Sequence, residues 1–321
     1  MKGTKDGIAG GMKLRVVSLF KMAHNVSAMS SGGLELLTIK IQQMIIESTN
    51  NNTATTPAIT YSECYQQCFC SDNLELIKTI ESNTIDLIYC DILYGTGRKF
   101  ADYQDLKPIK SEIENHYIPR IKEMHRILKP TGSIYLQMDE KIVHWMRIIM
   151  DDVFGYENFR NNIIWHYNRW TATSKDFQKL HDCILRYSKT KDFVFNVEYK
   201  DYTEGSKKRK ENTLNRFKNG EKYLVTETKG VSQNDVWCDI PFLPPSSNER
   251  KRSTYDTMKP KKLIERIIKA SSNEGDTVAD FYLGSGTSAE VCKDLNRNFI
   301  GCDINPRAVE ITLKRLNDAR S

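Results

Sequence analysis

One stretch of the chain decides its fold: Val278-Ala279-Asp280-Phe281-Tyr282-Leu283-Gly284-Ser285-Gly286-Thr287. It is typical of a buried strand that runs into a glycine turn and then into a helix, predicted here over 287–295. Gly284 and Gly286 lack the Cβ atoms that would keep a ligand away from the backbone, and the start of a helix offers unpaired N–H groups and a positive dipole end. The stretch therefore predicts a ligand-binding turn in an α/β fold.

A short G-x-G is shared by α/β folds that bind dinucleotides and by those that bind S-adenosylmethionine. The longer dinucleotide pattern G-x-G-x-x-G is incomplete, because Glu290 stands where the third glycine would be. A second strand, predicted over 298–302, ends in Asp303, an acid placed to accept hydrogen bonds from a ribose diol. Since both cofactors carry a ribose, this region alone leaves the choice open.

A second signal lies upstream, in Ile85-Asp86-Leu87-Ile88-Tyr89-Cys90-Asp91-Ile92-Leu93-Tyr94-Gly95. It reads as another strand that ends in an acid, Asp91, with the aromatic ring of Tyr94 three residues later. Open α/β sheets bind their ligands at the carboxyl ends of strands. Together with the glycine turn, this segment resembles the amino-methyltransferases of DNA, whose two hallmarks are F-x-G-x-G and D-P-P-Y.

The resemblance covers most of the chain, from about Tyr61 to Asn317, with a variable middle. Further matching segments are Cys70-Ser71-Asp72-Asn73-Leu74-Glu75-Leu76, Asp235-Val236-Trp237-Cys238-Asp239-Ile240-Pro241, Glu249-Arg250, Thr257-Met258-Lys259-Pro260 and Leu263 to Ser272. The catalytic motif precedes the variable region and the cofactor motif follows it, which is similar to the β class of these enzymes. The resemblance implies a circularly permuted, Rossmann-like α/β methyltransferase fold with a mainly parallel sheet, helices on both faces and a variable target-recognition insertion.

The expected organisation has three parts. Residues 1–60 form an N-terminal extension, partly mobile, with one helical candidate over 34–47. The methyltransferase catalytic domain comprises 61–165 and 235–321, and the resemblance assigns the basic, aperiodic segment 166–234 to target recognition. Within the catalytic domain, the patterns predict helices over 73–82, 110–128 and 141–154, strands over 133–138 and 162–167, a turn over 129–132 and a polar loop over 95–108.

The resemblance implies that Asp91, Ile92, Leu93 and Tyr94 carry the catalysis. An exocyclic amine is a poor nucleophile because its lone pair is delocalised into the ring. Asp91 could accept one amino hydrogen and the carbonyl of Ile92 the other, which would aim the lone pair at the methyl sulfonium. Tyr94 would stack on a base that has left the duplex. The structural alternatives are a strand-end cap for Asp91 and a core position for Tyr94.

The chain departs from the family where the two prolines of D-P-P-Y should stand. Ile92 and Leu93 give the turn more conformational freedom and restore two N–H groups that need partners. If the turn is only looser, restoring both prolines should raise the methylation rate. If the pocket has repacked around the larger side chains, the prolines should lower stability without raising the rate.

For the cofactor, the resemblance implies S-adenosylmethionine bound around the glycine turn. The methionine part and the turn are assigned to Asp280, Tyr282, Gly284, Ser285, Gly286 and Thr287, with Lys259 and Pro260 lining the methionine pocket. Asp303 is assigned to the ribose hydroxyls and Asp72 to the adenine end. Both acids also have a structural alternative, since Asp72 could cap the helix that begins at Asn73 and Asp303 could cap the segment after Asn305-Pro306.

The charge balance favours a polyanionic partner, because the chain carries a net charge of +6. The expected partner is double-stranded DNA, contacted by Arg98, Lys99, Lys207, Lys208, Arg209 and Lys210. A solvated basic loop is the alternative for the cluster 207–210. A cognate restriction endonuclease and a homodimer stay open as further partners.

Other classes of function find less support in the sequence. No apolar run reaches membrane-spanning length, so we expect no membrane partner and a cytoplasmic location. Cys64, Cys68 and Cys70 are close together, but they have no nearby histidine and no second C-x-x-C, so we expect no metal.

These observations predict a site-specific DNA methyltransferase that acts on the exocyclic N6 of adenine. Asp91 favours adenine, since the N4-cytosine members of the family more often carry serine at that place. Methylation of cytosine C5 is disfavoured because it needs a thiolate usually presented in a Pro-Cys pair, which the chain lacks. The alternatives are an N4-cytosine methyltransferase, a catalytically weak DNA-binding or regulatory homologue, and an RNA substrate. A nicotinamide-dependent dehydrogenase is disfavoured by the missing third glycine.

Overall fold

The computed structural model describes residues 58–63, 66–99, 103–169, 175–202, 204–205, 216–218, 221–223, 230–244, 246–251 and 257–318. Several expectations from the sequence fall on other residues. The helical candidate over 34–47, nearly all of the extension 1–60, Cys64 and the basic cluster 207–210 lie outside the described residues.

Strands and helices alternate in both halves of the predicted catalytic domain. The strands are β1 (Ala58–Glu63), β2 (Gln66–Cys70), β3 (Ile85–Asp91), β4 (Leu128–Met138), β5 (Phe159–His166), β6 (His181–Ser188), β7 (Tyr199–Lys200), β8 (Arg216–Lys218), β9 (Glu221–Tyr223), β10 (Val231–Ser232), β11 (Val236–Trp237), β12 (Thr277–Asp280) and β13 (Asn298–Asp303). The helices are α1 (Asn73–Thr79), α2 (Lys110–Ile127), α3 (Glu140–Phe154), α4 (Asn248–Lys251), α5 (Lys261–Ser271), α6 (Thr287–Asp294) and α7 (Pro306–Asp318).

One sheet forms the centre of the fold. Within the described residues it has nine strands, in the order β1-β2-β13-β12-β3-β4-β6-β5-β11. The strands from β2 to β4 in this order run parallel, whereas β1 and β6 run antiparallel to their neighbours. The last two strands of the chain, β12 and β13, therefore lie between β2 and β3. This order confirms the mainly parallel, permuted sheet that the resemblance implies.

Apolar side chains cover both faces of this sheet. Successive residues of a strand point to opposite faces. In β3, Ile88 and Cys90 pack with apolar residues of α1, α2 and α3, while Leu87 and Tyr89 pack with those of α5, α6 and α7. All four side chains are buried. Helices on both faces explain why most side chains of the parallel strands are buried. The carboxyl ends of the strands stay available for ligands.

The structure differs from the sequence-based expectations at two places. The segment 166–234, assigned as a whole to target recognition, contains β6, which lies in the central sheet between β4 and β5. Because this strand is buried on both faces from 182 to 188, it shows no alternation of apolar and polar residues. The predicted turn over 129–132 belongs to β4, at a place where the pairing with β3 is irregular between Ile85 and Leu87.

Candidate active site and cofactor pocket

Two motifs that are far apart in the sequence meet at the carboxyl edge of the sheet. β12 pairs in parallel with β3, and Val278 lies opposite Leu87. Just beyond this pairing, the N–H of Phe281 donates a hydrogen bond to Sγ of Cys90 at 3.4 Å. The glycine turn and the segment that begins at Asp91 therefore leave neighbouring strands side by side.

The backbone of the glycine turn requires glycine at two positions. Gly284 and Gly286 have φ angles of +51° and +73°, in the left-handed region. A Cβ atom on Gly286 would lie 2.2 Å from Oγ1 of Thr312 in α7. The space beside Gly286 is thus filled by a helix, whereas the sequence reasoning placed a ligand there.

Asp280 lies beneath the turn and is 3% exposed. Its Oδ1 accepts a hydrogen bond from the N–H of Tyr282 at 3.0 Å, and its Oδ2 accepts one from the hydroxyl of Ser288 at 2.5 Å. Burial raises the pKa of this carboxyl to about 7. These contacts tie the turn to the first residues of α6. Asp280 thus supports the glycine turn from below, and its assignment to the methionine part and the turn stays a prediction.

Asp303 closes the other side of the turn. Its Oδ2 accepts a hydrogen bond from the N–H of Gly284, and its Oδ1 accepts one from the N–H of Asn305, both at 2.9 Å. The next side chain, Ile304, is 70% exposed, although isoleucine is usually buried. It offers an apolar surface beside the turn. The sequence reasoning missed it, although an apolar residue directly after the strand-end acid was a signal.

Asp72 caps α1, which is the structural role that the sequence offered as an alternative to cofactor binding. Its Oδ1 accepts hydrogen bonds from the N–H groups of Leu74 and Glu75 at 2.9 and 3.4 Å. Its Oδ2 pairs with Nη2 of Arg120 at 2.9 Å. The side chain is still 41% exposed. Its assignment to the adenine end of the cofactor stays a prediction.

Glu290, which stands where a third glycine would be, forms a buried ion pair with Arg315 of α7. Arg315 also donates hydrogen bonds to the carbonyl of Ser285 at 2.7 Å and to Oγ1 of Thr287 at 3.1 Å. Ser285 and Thr287 are each 5% exposed. Their side chains therefore hold the turn from inside the protein. Glu290 thereby anchors the arginine that holds the turn.

Two further residues assigned to the cofactor flank the turn. Tyr282 is half-buried, and its Oη lies 3.0 Å from Nε2 of His116 in α2. Burial lowers the pKa of His116 to about 4, so the imidazole is neutral at pH 7. Pro260 is buried and is the residue that directly precedes α5.

The turn that replaces D-P-P-Y is held by hydrogen bonds. The N–H of Ile92 donates to the carbonyl of Gln137 at 3.1 Å, and the hydroxyl of Tyr117 donates to the carbonyl of Leu93 at 2.9 Å. Ile92 is 3% exposed and belongs to the hydrophobic core. The N–H that replaces a proline nitrogen at this position therefore has a partner, and the larger side chain fills space in the core.

Asp91 lies at the centre of a polar cluster. Its Oδ2 accepts a hydrogen bond from Nζ of Lys259 at 2.5 Å, and its Oδ1 accepts one from the hydroxyl of Tyr94 at 2.9 Å. Nζ of Lys259 also lies 5.1 Å from the centre of the Tyr94 ring. Burial raises the pKa of Asp91, and the attraction of Lys259 offsets part of that rise. The sequence reasoning assigned Lys259 to the methionine pocket and missed its contact with Asp91.

A second acid, Asp182, contacts the same tyrosine. The hydroxyl of Tyr94 lies 2.8 Å from Oδ2 of Asp182, and Nε2 of Gln137 donates to the same oxygen at 2.7 Å. Since β6 runs antiparallel to β4, it begins at the edge where β3 ends. The sequence reasoning missed Asp182 because an acid before a short apolar run carries no specific signal until the strand order is known.

Arg98 and Lys99 lie on the loop that leaves the site after Tyr94, and both are exposed. Lys99 forms an isolated bridge with Gln104, and the N–H of Asp105 donates to the carbonyl of Arg98 at 3.0 Å. The loop thus doubles back on itself and presents both cations to solvent. The four residues of the cluster 207–210 lie outside the described residues.

A metal site and a membrane-spanning helix each place requirements on the described residues. Among the described residues, no group of three or more His, Cys, Asp and Glu side chains is arranged to hold a metal ion. Cys68 is buried in β2, and burial raises the pKa of its thiol to about 12. Among the helices of the described residues, none is both long and apolar enough to cross a membrane.

Comparison with known proteins assigns this arrangement to a family. The family model described as DNA methylase, which covers N6 and N4 methyltransferases, matches residues 85–314. The chain is 33% identical over 255 residues to the type II methyltransferase M.HpaI of Haemophilus parainfluenzae, covering 78% of this chain and 74% of that protein. It is 28% identical over 260 residues to the DNA adenine methyltransferase YhdJ of Escherichia coli, covering 77% and 81%.

Solved structures agree with the fold. The cytosine-N4-specific PvuII DNA methyltransferase superposes with a TM-score of 0.59 at 17% identity, covering 82% of this chain and 90% of that one. The complex of M1.HpyAVI with SAM superposes with a TM-score of 0.50 at 20% identity, covering 78% and 98%. The chain therefore belongs to the DNA methylase family, the S-adenosylmethionine-dependent DNA amino-methyltransferases that act on N6 of adenine or N4 of cytosine.

Proposed function

We propose that this chain methylates the exocyclic N6 of adenine in double-stranded DNA. The observation that carries the proposal is the position of Asp91, which ends β3 directly beside the glycine turn that ends β12. A carboxylate at this place can accept a hydrogen of the target amine. The relative YhdJ is named a DNA adenine methyltransferase, which supports adenine over cytosine.

The residues around the glycine turn fit S-adenosylmethionine. The left-handed backbone at Gly284 and Gly286 opens the turn, and its N–H at residue 284 is fixed by Asp303. We propose that Asp303 holds the ribose hydroxyls, and that the exposed Ile304 contacts the adenine ring of the cofactor. When bound, the cofactor supplies an electrophilic methyl group on a sulfonium.

The amine of the target base is activated by the chain itself. Asp91 and the carbonyl of Ile92 each accept one amino hydrogen, which draws the nitrogen toward a pyramidal geometry and directs its lone pair at the methyl group. Each carboxylate oxygen can accept two hydrogen bonds, so the contacts of Asp91 with Lys259 and Tyr94 leave capacity for the amine. The prolines of D-P-P-Y are not needed for this alignment, because hydrogen bonds hold the turn.

Tyr94 is placed to stack on the flipped base. Its hydroxyl lies within hydrogen-bond distance of the carboxyl groups of Asp91 and Asp182, which hold the end of the ring in place. Lys259 lies over the ring, so we place the base on the opposite face. Stacking on an aromatic ring would offset part of the cost of unpairing, which is a few kcal/mol.

Contacts with DNA are assigned to the exposed cations near this edge. Arg98 and Lys99 follow the active-site tyrosine on a loop that projects into solvent. We propose that this loop and the part of 166–234 that follows β6 bind the duplex, with 207–210 contacting phosphates. A cognate restriction endonuclease is proposed as a functional partner because M.HpaI is named a type II methyltransferase.

Methyl transfer from labelled S-adenosylmethionine to DNA of mixed sequence, followed by nucleoside analysis, tests the proposal. We expect N6-methyladenine. Label in N4-methylcytosine would assign the chain to the other branch of the family. No methylated nucleoside with duplex DNA, single-stranded DNA or RNA, together with retained cofactor binding, would point to the regulatory homologue.

A further inference from the structure

The hydroxyl of Tyr94 lies between two carboxylates. Its oxygen is 2.9 Å from Oδ1 of Asp91 and 2.8 Å from Oδ2 of Asp182. A phenol carries one hydrogen, so it can donate to only one of these oxygens at a time. The other short contact is favourable only when the second carboxyl is protonated and donates to the phenol oxygen. The three groups can therefore take up one proton in addition to the hydrogen of the phenol, and both short contacts are favourable once they do.

Asp182 is held rigidly in this arrangement. Its Oδ2 accepts a hydrogen bond from Nε2 of Gln137 at 2.7 Å, and its Oδ1 accepts one from the hydroxyl of Tyr167 at 3.0 Å. The hydroxyl of Tyr89 donates to Oε1 of Gln137 at 2.8 Å, which fixes the orientation of the amide. Asp182 is 4% exposed. These contacts fix the orientation of the carboxyl group, with Oδ2 facing the hydroxyl of Tyr94.

We infer that Asp182 is a positioning residue of the active site, which shares with Asp91, through the hydroxyl of Tyr94, the proton that Asp91 takes from the target amine. The inference rests on the proposed function, since it concerns the proton that the target amine releases. Methylation of an amine requires the loss of one N–H proton. Asp91 and the carbonyl of Ile92 accept hydrogen bonds from the amine, but these contacts alone give the released proton no final acceptor.

The transfer balances without any further reactant. The lone pair of the amine forms the new N–C bond to the methyl group, and the electron pair of the C–S bond passes to sulfur. The amine then gives one proton to Asp91. Asp91 passes a proton to the oxygen of Tyr94, which releases its own hydrogen to Asp182. The net result moves one proton from the amine to Asp182 and leaves the tyrosine unchanged.

The charged and titratable groups around Asp91 are compatible with this route. Lys259 binds the oxygen of Asp91 that Tyr94 does not contact, so the cation does not interrupt the bridge. Asp182 faces Asp91 from β6, Tyr89 lies two residues before it in β3, and Asp280 ends the neighbouring strand β12. Burial raises the pKa of Asp91, and the charge of Asp182 raises it further.

The test compares Asp182→Asn, Tyr94→Phe and the double variant in single-turnover methyl transfer to DNA. Each single variant should lower the rate roughly 10²-fold, as expected for the loss of an acid–base partner, with unchanged affinity for S-adenosylmethionine. The double variant should be no slower than the slower single variant, because both changes break one bridge. Tyr94→Phe keeps the ring and Asp182, so it tests the bridge even if Asp182→Asn does not fold.

The chain offers a matched control pair. The hydroxyl of Tyr187, five residues further along β6, donates to Oδ1 of Asp151 in α3 at 2.5 Å. Tyr187→Phe and Asp151→Asn make the same chemical changes away from the site. These variants should leave the rate unchanged. Wild-type rates for Asp182→Asn and Tyr94→Phe, or losses that multiply in the double variant, would overturn the inference.

A second measurement does not depend on catalysis. In protein carrying ¹³C-labelled aspartate, an NMR titration follows the carboxyl carbon of Asp91. Asp182→Asn should lower the pKa of Asp91, because a neighbouring negative charge is removed. An unchanged titration would contradict the shared proton. If the unaltered protein methylates no substrate while the titration still shifts, the proposed function fails and the coupling between Asp91 and Asp182 stands.

Discussion

Lys259 donates a hydrogen bond to Asp91 at 2.5 Å, across 168 residues of sequence. The backbone carbonyl of the same lysine accepts a hydrogen bond from Oγ1 of Thr287, the first residue of the helix that follows the glycine turn, at 3.4 Å. One residue thus connects the acid that ends β3 with the turn assigned to the cofactor. This connection fixes the distance between the two halves of the site.

Removal of this cation should change the pH dependence of methylation. Lys259 lowers the pKa of Asp91, whereas burial raises it. Because Asp91 must be ionised to accept a proton, Lys259→Met should move the acid limb of the rate profile to higher pH. Below that limb, the rate should fall about tenfold for each unit by which the pKa rises.

Single-turnover rates measured over a range of pH check this shift. Lys262→Met is the control, since Lys262 is exposed and lies 3.8 Å from Asp239, away from the site. An acid limb that coincides in the Lys259 variant and the unaltered protein would contradict the role of the ion pair.

Restoring proline at position 92 should harm the enzyme. Ile92→Pro removes the N–H that donates to Gln137 and leaves space in the core that the buried isoleucine fills. We expect a loss of about 1–3 kcal/mol in the free energy of unfolding and a slower methyl transfer. Urea denaturation and the methylation rate measure the two effects. A faster and equally stable variant would show instead that the missing proline only loosens the turn.

A methyl group on Gly286 should disturb the packing of α7 as well as the cofactor. The added Cβ would lie 2.2 Å from Oγ1 of Thr312, and the φ of +73° is strained for alanine. Gly286→Ala should lower the unfolding free energy by about 1–3 kcal/mol and weaken binding of S-adenosylmethionine.

Thr312→Ala in the same chain distinguishes the two causes. It removes Oγ1 and Cγ2 and should recover part of the stability, as thermal unfolding would show. Loss of cofactor binding without any change in thermal stability would mean that the added methyl group meets the ligand and not the helix.

Charge removal on the loop after Tyr94 should weaken DNA binding. With Arg98→Gln and Lys99→Gln, the negative slope of log affinity against log salt should become less steep by about 0.9 for each phosphate that the loop no longer neutralises. Cofactor binding should persist. Lys78→Gln is the control, because Lys78 is exposed in the last turn of α1, away from the carboxyl edge. Equal salt slopes in all three proteins would remove the loop from the DNA interface.

The local parts of the site could be predicted from the sequence. The strand that ends in Asp91 and the glycine turn around Gly284 are patterns of ten or so consecutive residues, and each places its functional atoms through its own backbone. The position of β12 beside β3 could be predicted only from the resemblance to the family, because the order of strands in a sheet leaves no local pattern in the sequence.

The long-range contacts could not be predicted in the same way. Asp182 reaches Tyr94 only because β6 runs antiparallel beside β4, and this strand lies in a segment that reads as variable. The contact of Lys259 with Asp91 depends on where the segment before α5 crosses the sheet edge. The packing of Thr312 against Gly286 likewise depends on the final helix, which no spacing within the motif reveals.

The central claim is that Asp91 activates a base amine beside bound S-adenosylmethionine. The most direct measurement compares the unaltered protein with Asp91→Asn, using methyl transfer from labelled cofactor to mixed-sequence DNA and calorimetric binding of the cofactor. We expect the unaltered protein to form N6-methyladenine, and the variant to lose transfer while it binds the cofactor with nearly the same affinity. Undiminished transfer by the variant, or an equal loss of transfer and cofactor binding, would contradict the account.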